Sequence, residues 1–142
     1  MIATLKDRLA AAGLSGRVEW CPNLSREEKI VFLRSLSVFS VPVAYSEAFG
    51  LYAIEAMACG VPIVQPESAA FPELVAATGG GECVPPGDAA ALARAWQRLL
   101  ADPDRRAQLG RAGRLSVEKK FGARTMAEHF GRATARFVRP TT

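Results

Sequence analysis

The sequence has 142 residues, enough for one domain with a buried core. Hydrophobic residues make up 49% and charged residues 23%, an ordinary balance for a globular protein. No apolar run approaches the roughly 18 residues of a membrane span, and the first eight residues contain no signal-peptide core. Three widely spaced cysteines and one histidine argue against a zinc site. We therefore expect a single cytoplasmic domain, residues 1–142, without a metal ion.

The net charge of +4 is unevenly distributed along the chain. Residues 1–90 hold six Lys and Arg against ten Asp and Glu, a net charge of −4, whereas residues 91–142 hold twelve against four, a net charge of +8. The positive segment is interpreted either as a solvated helix face or as a surface attracted to phosphates or to an anionic membrane, at its inner face. Because no arginine-rich run with interleaved aromatics occurs, we expect no nucleic-acid partner.

The first third of the chain alternates between helix and strand patterns. Residues 2–12 have helical apolar spacing, and residues 17–21 alternate as a short strand does. Ser25 and Glu28 have the spacing of a capping box and predict the start of a second helix. Residues 37–43 are apolar on both faces apart from two small serines, which is typical of a central parallel strand.

The same alternation continues through the middle of the chain. A helix is predicted over roughly 50–59 and is followed by Gly60, a favourable residue just after a helix. Short strands are predicted over 61–64 and 82–84, with a helix starting near Pro72 between them.

The last third of the chain reads as helices. Asp88 is a candidate cap for a helix, and the next two helices are predicted near 104–119 and 123–138, so the C-terminal helices span about 104–138. Several large apolar side chains are expected to pack inward from this region: Leu92, Trp96, Leu99, Leu100, Leu109, Leu115, Phe121, Met126, Phe130 and Phe137.

Alternating strands and helices indicate an α/β fold. We expect a Rossmann-like parallel sheet of about four strands with helices on both faces. Ligands bind such sheets at the carboxyl ends of the strands. The loops that follow Val43 and Val64 therefore should converge on one crevice.

Two carboxylates follow the predicted strand over 37–43, Glu47 and Glu55, with seven residues between them. Along one continuous helix they would be about 12 Å apart, but a loop that folds back would bring both to one cleft. Backbone N–H groups around Gly50, Leu51 and Tyr52 would form an anion site at the helix start. Since a carboxylate accepts hydrogen bonds from a cis-diol, the combination describes a nucleotide-sugar site.

Residues 46–51 (SEAFGL) and 55–64 (EAMACGVPIV) together resemble the E-x7-E motif of retaining glycosyltransferases with the two-domain GT-B fold. The resemblance is closest to the group 1 family, glycosyltransferase family 4. Residues 72–75 (PELV) and 81–88 (GECVPPGD) resemble two further motifs of that family. The similarity covers roughly residues 15–120 and identifies the chain as part of a C-terminal, donor-binding domain.

The resemblance implies roles for individual residues. Glu47 would contact the donor sugar beside the reacting centre and is the catalytic candidate, and Glu55 would hold the ribose hydroxyls. The backbone at Phe49, Gly50 and Leu51 would meet the diphosphate. Ser46 and Glu73 are further candidates. No metal is implied, since the helix dipole and basic side chains would stabilise the leaving diphosphate.

Two departures from the family pattern lead to further expectations. Ala69-Ala70 stands where many members have a glycine pair. The family's acceptor-binding N-terminal domain and the first strand of its donor domain have no counterpart in these residues, so we expect this chain alone to be inactive and to self-associate through exposed apolar surface. The alternative is a non-catalytic domain that binds nucleotide weakly or serves as an interaction module.

Overall fold

The computed structural model describes residues 2–43 and 47–137. Short helical turns of the 3-10 type lie at Ser15–Arg17 and Ala135–Phe137. The longer elements follow in chain order: α1 (Ile2–Ala11), α2 (Arg26–Ser35), α3 (Leu51–Ala58), β1 (Ile63–Pro66), α4 (Phe71–Thr78), β2 (Gly81–Val84), α5 (Ala89–Ala101), α6 (Pro103–Lys120) and α7 (Ala123–Thr134).

The two strands form a parallel pair with helices on both faces. Ile63 lies opposite Gly81, and Pro66 lies opposite Val84. All four residues of β1 are buried. Ile63 points into a core cluster built with α3 and α4, whereas Val64 points into a second cluster built with α5. The α/β class and the two helical layers are therefore confirmed.

The sheet is narrower than the four strands expected, since the described part of the chain contains two. The segment 37–43 contacts β1 through one parallel bridge, at Phe39. Further along, the Val41 N–H donates to the side-chain Oε1 of Gln65 (3.1 Å) rather than to a backbone carbonyl. Pro42 has no N–H to donate. The segment thus lies beside β1 without continuing the ladder, and the strand prediction over 37–43 is wrong.

The strand predicted over 17–21 is also wrong. Arg17 ends a 3-10 turn, and Val18 and Trp20 are 36% and 40% exposed. The alternation of side chains was present, but a strand also needs a neighbour for its backbone hydrogen bonds, and within residues 2–43 and 47–137 this segment has none.

The buried face of α5 differs from the predicted one, with Ala95 inward in place of Trp96. Ala95 and Leu99 are buried, whereas Trp96 and Leu100 are exposed and Leu92 is half-buried. Ala95 and Leu99 are four residues apart and share the face that packs on Val64 and Val84. A small alanine at the contact lets the helix approach the sheet closely.

Helix α6 packs through glycines, which the apolar pattern did not indicate. Leu109 is buried as expected, and Phe121 is half-buried. Gly110 is also buried, and a Cβ there would overlap the backbone carbonyl of Gly60. Other predicted packing residues of this region are exposed by 57–72%: Leu115, Met126, Phe130 and Phe137.

Candidate functional site

The candidate site begins where the chain turns into α3 at Gly50. This glycine has φ 72° and ψ 47°, a left-handed conformation that other residues rarely adopt. A Cβ on Gly50 would also lie 2.9 Å from the ring of Phe71. Glycine is therefore required here twice, by backbone conformation and by packing. The neighbouring Phe49 and Leu51 side chains are 46% and 62% exposed.

The carboxylate of Glu47 is held by the start of α3. Its Oε1 accepts hydrogen bonds from the N–H groups of Phe49 (3.3 Å) and Gly50 (3.4 Å), and its Oε2 accepts one from the Tyr52 hydroxyl (3.1 Å). These hydrogen bonds, of which the one from Phe49 has the largest effect, lower the pKa of Glu47 below its ordinary value. Desolvation acts in the opposite direction but is outweighed. The side chain is therefore an oriented carboxylate at neutral pH. Two of the three backbone positions expected to meet a diphosphate, Phe49 and Gly50, direct their N–H groups at Glu47 in this structure.

Tyr52 positions Glu47, a role that the sequence did not reveal. Its ring lies between Phe39 (centroids 6.2 Å apart) and Phe71 (6.3 Å). The ring packing carries the hydroxyl to Glu47. A spacing of five residues between Tyr52 and Glu47 has no helical or strand meaning, so no sequence pattern indicates this pair.

The loop after β1 contacts the Glu47 loop, as expected for the loops that follow Val43 and Val64. The Ala70 N–H donates to the backbone carbonyl of Glu47 (3.4 Å). Ala69, in the place of the first glycine of the family's pair, has φ 52°. The chain therefore keeps a left-handed backbone at Ala69 although the residue carries a Cβ.

The remaining candidates are Glu73 and Ser46. Glu73 is exposed in the first turn of α4 and lines a cavity of about 150 Å³ with Phe49 and Phe121, whose rings meet edge to face at 6.4 Å. Ser46 lies outside the described residues. Neither finding assigns a role to Glu73 or Ser46.

Glu55 faces α2 rather than the Glu47 loop. Its Oε1 lies 2.6 Å from the Nζ of Lys29. The two side chains are 42% and 45% exposed, so the pair adds only about 0.2–1 kcal/mol to stability. The sequence analysis missed Lys29, since its partner is 26 residues away and no local pattern joins them.

The Lys29–Glu55 pair lies in an open groove of about 660 Å³ between α2 and α3, which Arg26, Arg34 and Cys59 also line. The groove is thus rimmed by three cations and one carboxylate. In the described ranges, no three His, Cys, Asp or Glu side chains gather as ligands for a metal ion. Among the helices of those ranges, none is long and apolar enough to cross a membrane.

Comparison with known proteins connects this fold and site to a family. A family model described as "Glycosyl transferases group 1" matches residues 2–116. The D-inositol 3-phosphate glycosyltransferase of Streptomyces bingchenggensis is 36% identical over 113 residues, which are 80% of this chain and 24% of that protein. The chain therefore spans about a quarter of the length of this curated relative.

Solved structures share the fold. The sucrose-phosphate synthase of Thermosynechococcus elongatus has 35% identity and a TM-score of 0.85, over 94% of this chain and 33% of that one. The Anabaena HepE protein in complex with UDP has 21% identity and a TM-score of 0.86, over 95% and 36% of the two chains. The protein belongs to the group 1 glycosyltransferase family, and its fold is that of part of a GT-B C-terminal domain.

Proposed function

We propose that this chain binds a nucleoside-diphosphate sugar and provides the donor side of a glycosyltransferase site. The observation that carries the proposal is the Glu47 carboxylate, fixed at the start of α3 by Phe49, Gly50 and Tyr52. Family membership and the UDP bound by the HepE relative support the same ligand class. The whole protein would transfer the sugar to a hydroxyl acceptor with retention of configuration, the acceptor being bound by an N-terminal domain.

Each glutamate has a distinct role in this proposal. In the free chain, Glu47 accepts hydrogen bonds from the Phe49 and Gly50 amides on Oε1 and from the Tyr52 hydroxyl on Oε2. Once a diphosphate takes the two amides, Oε1 can accept from a sugar hydroxyl while Tyr52 still holds Oε2. Glu55 accepts hydrogen bonds from the ribose hydroxyls. A diphosphate that reaches the Phe49 and Gly50 amides would replace the Glu47 carboxylate there. We further propose that transfer needs no metal ion and takes place in the cytoplasm.

Titration with UDP-, GDP- and ADP-glucose, followed by calorimetry and by NMR amide shifts, tests donor binding. We expect one nucleotide class to bind and to shift the amides of Glu47, Gly50 and Glu55. Glu47→Gln and Glu55→Gln should each weaken binding by about tenfold or more, because each removes a charged hydrogen-bond acceptor.

Glu82→Gln is the matched control. It makes the same change at a carboxylate on β2 that pairs with Arg98 (2.9 Å), and it should bind as the wild type does. Equal affinities for all four proteins would contradict the assignment of the two glutamates. We expect no turnover from the 142 residues alone, and sugar transfer by them would overturn that expectation.

A second proposal concerns the surface of α7. Met126 and Phe130 lie four residues apart on one face of α7 and are 57% and 70% exposed, in the segment 91–142 that carries a net charge of +8. We propose that this face mediates self-association of the chain. Binding to vesicles of anionic lipid that salt weakens would instead support a membrane surface as its partner.

A further inference from the structure

We infer that Lys29 is a positioning residue, which orients the Glu55 carboxylate toward the ribose of the donor. The inference rests on the proposed function, in which Glu55 accepts hydrogen bonds from the ribose hydroxyls. It adds a residue of α2 to a site otherwise built from the turn into α3 and from α3 itself.

The geometry of the ion pair divides the two oxygens of Glu55. The Nζ of Lys29 lies 2.6 Å from Oε1, a short charge-assisted hydrogen bond. A carboxylate held by one oxygen loses part of its rotamer freedom and keeps the lone pairs of the other oxygen, Oε2, for a diol. Without Lys29, the Glu55 side chain would be free to rotate among its rotamers, and the ribose would have to select one of them.

The position of Lys29 is itself fixed by the way α2 begins and packs. The Ser25 N–H donates to the Glu28 side chain (2.8 Å), and the Glu28 N–H donates to the Ser25 hydroxyl (3.2 Å), so α2 begins at a defined residue. Lys29 and Leu33 are four residues apart and share one helix face. Leu33 is 4% exposed and belongs to the core cluster that contains Ile54. The buried leucine therefore holds α2 against α3 with Lys29 directed at Glu55.

The exposure of the Lys29–Glu55 pair favours a positioning role over a role in stabilising the fold. Both side chains are more than 40% exposed in an open groove, where water weakens the attraction between their charges. A nucleoside that enters the groove excludes part of this water, and the same hydrogen bond then acts in a lower dielectric. The pair consequently matters more in the liganded protein than in the free one.

The test compares ribonucleotides with their 2′-deoxy counterparts. The probe is whichever of UDP, GDP and ADP the wild-type chain binds most tightly, together with dUDP, dGDP or dADP of the same base, titrated by calorimetry. We expect Lys29→Met to weaken the ribonucleotide by about three- to tenfold and the deoxynucleotide much less, so that the ribo/deoxy affinity ratio falls toward one. Lys29→Arg, which keeps a cation and a donor, should restore most of the ratio.

Two further variants make the result specific. Arg98→Met removes one positive charge and breaks an exposed ion pair with Glu82 (2.9 Å), and it should leave the ribo/deoxy ratio unchanged. In a Glu55→Gln background, Lys29→Met should have no further effect on the ratio, because the group that it orients is gone. Thermal unfolding of each variant establishes that it is folded.

The outcomes distinguish the inference from the proposed function. If the wild type prefers the ribonucleotide and Glu55→Gln abolishes that preference, the ribose role of Glu55 is supported. If the ribo/deoxy affinity ratio of Lys29→Met then equals that of the wild type, the positioning role of Lys29 is overturned while the ribose role of Glu55 stands. A ratio lowered equally by Arg98→Met also overturns it, since net charge would be the cause. A wild type that binds none of the three nucleotides overturns both.

Discussion

Ala69 offers a direct test of the backbone that shapes the site. Its φ of 52° lies in the left-handed region, which costs a residue with a Cβ about 1–2 kcal/mol. Ala69→Gly removes this strain, but glycine loses about 0.5–1 kcal/mol more conformational entropy on folding. The difference between the midpoints of these ranges predicts a gain of about 0.75 kcal/mol in the free energy of unfolding. For a domain of this size, that gain raises Tm by about 2–3 °C.

Calorimetric or circular-dichroism melting of Ala69→Gly against Ala76→Gly measures the effect. Ala76 is exposed within α4, so the same substitution there lacks the strain term and should lower the stability by about 1 kcal/mol. The two variants must therefore shift Tm in opposite directions. If Ala69→Gly melts at or below the wild type while Ala76→Gly melts lower as expected, the left-handed strain assigned to Ala69 is refuted.

Three other predictions follow from particular contacts. Gly110→Ala should lower the free energy of unfolding by about 2 kcal/mol or more, because the added Cβ overlaps the Gly60 carbonyl. Gly131→Ala has open space around it and should raise the free energy of unfolding by about 0.5–1 kcal/mol. Urea unfolding of both variants measures the two effects. The hydrogen bonds to Glu47 lower the pKa of its carboxyl group below the ordinary value of 4.5. The carboxylate therefore contributes its full stabilisation at pH values above 4.5, and this contribution is lost as the pH falls through the lowered pKa. The Tm difference between wild type and Glu47→Gln should thus vanish in acid, and a constant difference would contradict this. Light scattering should show an apparent molar mass that rises with protein concentration. Phe130→Ser, which removes an exposed apolar side chain of α7, should make this rise smaller.

Local hydrogen bonding explains what was predictable about the fold. The capping box of Ser25 and Glu28 and the cap at Asp88 form as expected, because each joins groups three residues apart in sequence. Strand predictions were weaker. The segment 17–21 alternates correctly but has no partner among the described residues, and the segment 37–43 makes one bridge with β1 before Pro42 and the Gln65 side chain interrupt the ladder.

The sequence by itself indicated the family, the helix that starts near Gly50 and the two glutamates as site candidates, because these are carried by residue identity and short-range conformation. Only the tertiary structure decided the surroundings of those glutamates. Tyr52 reaches Glu47 because its ring is packed between two phenylalanines, and Lys29 reaches Glu55 because a buried leucine holds α2 against α3. Such pairings depend on packing between elements distant in sequence, where a hydrogen bond forms only if the folded core brings donor and acceptor together.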